Sequence, residues 1–353
     1  MHTGPHPLTW HIGLAGAEAA RAGDAALAAG MLAGIRAYQD APRPPPLPEA
    51  PAIWGWGPAR LLHYAARKPV AALFCLPSLI NRWTVLDLCE GRSLARWLAQ
   101  RDVSTYILDW GDLTALPATR AMDLSALVER IVAPAIAAAA SHARPRALIA
   151  TGHCMGGTML MAAASRPATA RHLKGLAFIS SPWDFHAGTE SLRARAAHFA
   201  PPALAATARL GCVPALGLQA FFACVDPAMT ARKFAKFSQM DPGSEAARIF
   251  VAVEDWLNDA RALPGPVARE VMARWYGDNA PAGEPARWRK PALIIASSAD
   301  RLVTYDSAAA LARALPRARV VDPACGHISM IAGGKAVDNV WAPLADWIKS
   351  SVD

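Results

Sequence analysis

The chain lacks most of the features by which a sequence declares a partner or a compartment. Its six cysteines (Cys75, Cys89, Cys154, Cys212, Cys224 and Cys325) form no C-x-x-C pair. That excludes a zinc-finger spacing, and in a chain this long it favours reduced, cytosolic thiols over a disulfide framework. There is no Lys or Arg run, so nothing resembles a nucleic-acid module. Met1 to Thr9 carry no basic segment followed by an apolar one, which argues against a signal peptide. No apolar run reads as long enough to span a bilayer, and no internal repeat is visible. The expectation is a cytoplasmic protein without a transmembrane segment, metal site or nucleic-acid partner.

What is present is a chain of 353 residues, 53% of them hydrophobic. That is ample for a large core, and the length suits one α/β domain carrying an insertion. The net charge of +8 rests mainly on arginine. A basic surface suits acidic partners, nucleotides or anionic surfaces, and an Arg- and Ala-heavy composition accounts for it equally well.

Residues 13–38 are Ala-rich with few breakers and read as helix. Residues 42–51, with six prolines, read as extended. Together they suggest an N-terminal arm over 1–60, ahead of a catalytic domain over 61–353. From Pro69 the pattern alternates. Strands are expected at Val70–Cys75, Val103–Leu108, Ala147–Ala150, Leu176–Ile179, Ala292–Ala296 and Ala318–Val321. Helices are expected at Glu90–Arg101 and Leu124–Ala140. Short apolar strands spaced by helices predict a mostly parallel sheet with helices on both faces. The interval 184–290 interrupts the alternation and reads as a helical cap or lid.

The most informative segment is Gly152-His153-Cys154-Met155-Gly156-Gly157. It follows an apolar strand and precedes a helix expected from Thr158. Strand, Gly-x-nucleophile-x-Gly, helix is the nucleophile elbow of the α/β-hydrolase fold, here with cysteine. The fold needs an acid and a histidine on later strand ends. Asp300 follows the strand Ala292–Ala296, and His327 follows the last strand. The order Cys154, Asp300, His327 is complete. His327 would take the Cys154 proton, and Asp300 would fix its tautomer and stabilise its charge. The oxyanion would find one N–H at Met155 and another in the loop Leu79-Ile80-Asn81.

Each assignment has a plainer competitor. Asp300 could simply cap a helix starting near Thr304, and Asp306 and Asp322 are rival acids. His153 adjoins the nucleophile, but its side chain should diverge from that of Cys154. Cys325 lies two residues before His327 and reads as structural. The remaining histidines, including His2, His6 and His11 in the arm, follow no suitable strand.

Several segments together resemble the polyhydroxyalkanoate synthases, most of all the short class III catalytic subunits. Gly152 to Thr158 resembles their lipase-like box with its cysteine. Leu79-Ile-Asn-Arg82 with Leu86-Asp-Leu88 and Arg92-Ser-Leu94 is similar to their loop after the first core strand. Val103 to Gly111, Trp256 to Asp259, Leu263 to Pro266 and Gly326 to Ile328 extend the likeness over about 70–345. The chain departs from it at Trp83-Thr84 and Ser329-Met330.

The resemblance implies that an (R)-3-hydroxyacyl group passes from coenzyme A to Cys154, and that a further hydroxyacyl unit attacks through its hydroxyl. It implies His327 as activator, Asp300 assisting His327 or the incoming hydroxyl, and the amides of Ile80 and Met155 as oxyanion donors. It further implies a coenzyme A thioester as substrate with no permanently bound cofactor. A homodimer, a second non-catalytic subunit and action at polymer granules follow from the same likeness. A cysteine hydrolase (polyester depolymerase or thioesterase) and a divergent, non-polymerising paralogue remain as alternatives.

Overall fold

The computed structural model describes residues 9–188 and 190–352. His2 and His6 lie outside the described residues. Eight strands among the described residues form one sheet: β1 (Ala52–Trp56), β2 (Ala59–Tyr64), β3 (Ala71–Leu76), β4 (Val103–Asp109), β5 (Leu148–His153), β6 (Leu173–Ile179), β7 (Ala292–Ile295) and β8 (Ala318–Val321). Their order across the sheet is β1-β2-β4-β3-β5-β6-β7-β8. β1 and β2 are antiparallel to their neighbours, and the rest run parallel. This is the expected α/β-hydrolase architecture. Every residue of β3, β4 and β5 is buried, because helices cover both faces. Alternation divides β3 between two cores. Phe74 and Leu76 join Leu127 and Ile131 on one face, while Leu73 and Cys75 join Trp341 and Leu344 on the other. Each such large apolar side chain contributes about 2 kcal/mol over its exposed state.

The sheet begins at Ala52, ahead of residue 60, where the sequence pattern ends the arm. The reason is the hairpin β1–β2, which pairs onto β4 with Leu62 opposite Ile107. The helix expected over 13–38 is two helices, Thr9–Arg21 and Ala25–Asp40. Gly23 breaks it in the left-handed region, with φ +66°. Its amide bonds back to Ala20 and that of Asp24 to Ala19, after which the Asp24 carboxylate caps the second helix at Leu27. The helix expected from Glu90 starts at Leu94, because Asp87–Cys89 and Arg92–Ser93 first form a small ribbon and Ser93 then caps Arg96.

The helix Leu124–Ala143 is long and apolar enough to cross a bilayer, so the expectation that no run reaches that length does not hold. It is a core helix: Leu124, Leu127, Ile131, Val132 and Ile136 pack into the main cluster under the sheet.

Between β6 and β7 the chain forms the helices Glu190–Leu210, Ala215–Ala223, Met229–Phe237, Glu245–Asn258 and Gly265–Glu270. The arm packs on this insert. Ala15, Met31 and Tyr38 cluster with Ala231, Phe234 and Phe237. Tyr38 also donates to the Asp255 carboxylate at 2.5 Å.

Candidate active site

Cys154 stands between β5 and the helix Met155–Ala164, with φ +54° and ψ −131°. The helix begins at Met155 and not at Thr158. That places the thiol at the helix N-terminus, where the dipole favours a thiolate. The turn is closed by Cys154 N–H donating to Ile179 O at 3.0 Å and Gly157 N–H donating to Cys154 O at 2.9 Å. The flanking glycines make it possible. A Cβ on Gly156 would lie 2.2 Å from the Leu76 carbonyl oxygen, and one on Gly157 would lie 1.8 Å from Ser181 Oγ.

Asp300 and His327 come from the loops after β7 and β8. His327 Nδ1 meets Asp300 Oδ2 at 2.7 Å. Asp300 Oδ1 accepts from the amides of Leu302 at 2.8 Å and Val303 at 3.0 Å. Thr304, not Asp300, caps the helix Tyr305–Ala314. Asp306 is exposed in the first turn of that helix, and Asp322 is exposed and accepts from the amides of Ser298 and Ala324. Cys325 is held within its own loop by the Pro323 carbonyl. The structure thus pairs Asp300, and neither Asp306 nor Asp322, with His327, and it sets His327 and Cys154 on the wall of one cavity.

The electrostatics follow from burial and proximity. Burial opposes a charge on His327, but the hydrogen-bonded Asp300 carboxylate and the nearby Cys154 sulfur outweigh burial. They hold the imidazole well above its ordinary value. Asp300 is the counterpart. Burial pushes its carboxyl up, but His327, Ser180 and the Val303 amide together hold it below the ordinary range. A site so arranged can hold a thiolate beside an imidazolium.

Two residues of the site were not expected from the sequence. Ser180 follows β6 with φ +46° and is buried. Its hydroxyl donates to Asp300 Oδ2 and lies 2.8 Å from His327 Nδ1. The polar pair Ser180-Ser181 directly after an apolar strand was the available signal. His153 was expected only to diverge from the Cys154 side chain; as the last residue of β5 it also sets its ring against His327, with centroids 5.2 Å apart. Burial, helped by His327, pushes its pKa down to about 3, and its Nε2 is buried without a partner.

Two cavities meet at Cys154 and share Ile80, Phe222 and Leu302 as walls. One, of about 140 Å³, is apolar and lies under the insert. The other, of about 440 Å³, is also mainly apolar, but its lining adds His153, His327 and the charged side chains of Arg82, Asp226, Lys233, Glu254 and Arg301. Lys233 pairs there with Glu254 at 2.7 Å and Arg301 with Asp226 at 2.7 Å, while Arg82 pairs with Asp259, outside the lining, at 3.0 Å. Met155 lines the apolar cavity, and its amide belongs to the first turn of a helix, where N–H groups lack intrahelical acceptors. The Ile80 amide meets Ser78 Oγ at a long 3.5 Å. Among the described residues, no cluster of His, Cys, Asp and Glu is arranged to hold a metal.

Residues 130–333 match the alpha/beta hydrolase fold family. The chain is 25% identical to the poly(3-hydroxyalkanoate) polymerase subunit PhaC of Haloferax mediterranei over 82% of its own length, and 23% identical to that of Haloarcula marismortui over 81%. It spans 61% and 64% of the lengths of these relatives. Among solved structures it is similar to a lipase in an open form, with TM-score 0.55 and 15% identity over 84% of this chain and 95% of the lipase. A thermophilic esterase from Thermogutta terrifontis gives TM-score 0.54 and 12% identity over 87% of this chain and 100% of the esterase.

Proposed function

The chain belongs to the α/β-hydrolase fold family, and from that premise we propose that it is a polyhydroxyalkanoate synthase-like acyltransferase working through a Cys154 acyl-enzyme. The observation that carries this reading is a cysteine elbow where two cavities meet, one lined without charged side chains and the other bearing them, with His327 and its raised pKa on the wall of the second. The similarity to two PhaC subunits supports it.

The steps follow from the geometry. His327 accepts the Cys154 proton, and Sγ attacks the carbonyl of an (R)-3-hydroxyacyl-CoA thioester. The amides of Met155 and Ile80 receive the oxyanion. The carbon–sulfur bond to coenzyme A breaks, and the imidazolium returns the proton to the leaving thiolate. One thioester replaces another, so this exchange is close to balanced in energy. A hydroxyl of a second acyl unit then gives its proton to His327 and attacks the enzyme thioester. An ester forms and Cys154 is released. Asp300 keeps the imidazole oriented and stabilises its charge throughout. On this reading the chain works with a second subunit and at a polymer surface.

The test is incubation of purified chain with (R)-3-hydroxyacyl-CoA thioesters, with and without a candidate second subunit, following free thiol and insoluble polymer. Thiol release with polymer is expected. Release with free acid alone moves the assignment to a cysteine hydrolase. No release dependent on Cys154 overturns both.

A further inference from the structure

The apolar cavity is walled by Phe199, Leu218, Phe221, Phe222, Trp275 and Tyr276. The aromatic rings brace one another: Phe221 meets Phe199 at 5.8 Å, Phe222 at 5.5 Å and Tyr276 at 6.4 Å, all edge-on. Such a wall keeps its shape without a ligand, because each ring is held by its neighbour. The enclosed space, about 140 Å³, is close to that of an apolar cavity of ~150 Å³ that stays dry and admits benzene. Six carbon atoms are therefore about its capacity.

A 3-hydroxybutyryl unit carries a methyl side group at its hydroxyl-bearing carbon. A methyl would leave most of this space empty, and its walls would lack contacts. A pentyl or phenyl group would fill it. Each methylene moved from water into apolar space favours binding about fourfold. Filling and not merely reaching the cavity therefore decides between substrates.

Resting on the acyltransferase reading above, we propose that this chamber receives the side group of the acyl unit, and that it selects medium-chain or phenyl-bearing (R)-3-hydroxyacyl thioesters over 3-hydroxybutyryl ones. Cys154, Met155 and Ile80 form the chamber's floor at the reacting carbonyl. The side group enters as the carbonyl reaches the sulfur, while the coenzyme and its phosphates stay in the larger cavity, among Arg82, Lys233 and Arg301.

Binding to the full-length, unreactive Cys154→Ala chain, measured by calorimetry, tests the chamber without requiring turnover or a second subunit. (R)-3-Hydroxyoctanoyl-CoA is expected to bind at least ~10-fold more tightly than (R)-3-hydroxybutyryl-CoA, well inside the gain its four extra methylenes allow. Ala268→Leu adds three carbons to the chamber wall and should remove that advantage, leaving butyryl binding within about threefold. Val271→Phe, on a neighbouring part of the wall, serves the same purpose if Ala268→Leu fails to fold. Equal binding of the two thioesters overturns the proposal. So does an octanoyl advantage that survives filling, because the chain would then be bound elsewhere. Thiol release by the Cys154 chain is scored separately: its absence overturns the acyltransferase reading, whereas the binding ratio alone judges the chamber.

Discussion

Ser180 Oγ lies 2.8 Å from His327 Nδ1 and donates to the same Asp300 oxygen that His327 contacts. With the one Nδ1–H donating to Asp300, the hydroxyl lies beside that bond and completes a triangle of polar groups along one edge of the imidazole. Ser180→Ala keeps Asp300 and His327 but removes one donor to the carboxylate. A hydrogen bond in such a network is worth about 1 kcal/mol, so acylation should fall by roughly fivefold. The imidazolium would be less well held, and the alkaline limb of the rate–pH profile should move to lower pH. Ser180→Thr should restore both. A rate loss with an unmoved pH profile would mean that Ser180 only packs.

The Asp300–His327 pair links stability to pH in a defined window. Asp300 has a folded pKa below its ordinary 3.8, so its contribution is present above that value and is lost as pH falls through the folded value. His327 has a folded pKa above 6.5, so its contribution is full below 6.5 and is lost as pH rises through the folded value. The pair therefore stabilises most between these limits. Thermal melting of wild type and Asp300→Asn should differ most near pH 5–6 and converge in alkali. The same variant should lose activity by about 10²- to 10⁴-fold, because the imidazole loses both its orientation and its counter-charge. A melting difference that keeps growing above pH 6.5 would contradict the assigned signs.

His153 has the opposite sign. Its folded pKa is about 3, so below pH 6.5 the unfolded chain takes up a proton that the folded chain refuses. Stability is lost between pH 6.5 and 3 at up to about 1.4 kcal/mol per pH unit from this residue alone. His153→Phe keeps an aromatic ring against His327 and removes the titration. Its melting temperature should fall less steeply with acid than that of wild type. Parallel curves would show that His153 titrates normally.

The parts of the site legible in the sequence were those set by local order. The elbow is one short segment with its own glycine pattern, and Asp300 and His327 each follow a readable strand. What escaped depended on the chain's path in space. Ser180 matters because β6 lies beside β7, a relation no local pattern states. The contact of His153 with His327 escaped for the same reason, because it joins the end of β5 to the loop after β8. The break at Gly23 was legible in principle, since Gly-Asp is both a stop and a new cap. The chamber was not, because Ile80, Phe199, Val271 and Leu302 come from four distant segments. The hairpin Ala52–Tyr64 was hidden by the proline-rich stretch before it.

Cys154→Ser separates the chemistry of the thiol from the shape of the elbow. The two side chains differ by one atom, and the turn that holds them depends on Gly156, Gly157 and the Ile179 carbonyl, none of which changes. The fold and melting temperature should therefore stay close to wild type. The reaction should not. Part of what holds His327 protonated is the charge of the nearby Cys154 sulfur. A serine hydroxyl does not ionise near neutral pH, so the imidazole loses that support and its pKa should drop. An acyl group carried on oxygen is also a poorer donor to an incoming hydroxyl than one carried on sulfur. Transfer from a coenzyme A thioester should fall by at least ~10², while slow release of acyl groups to water survives on the remaining His327, Asp300 and oxyanion donors. Nuclear magnetic resonance titration of His327 in both chains checks the first part, and product analysis checks the second. Polymer formed at an undiminished rate by Cys154→Ser would show that the thiolate–imidazolium pair is not what the elbow was built to hold.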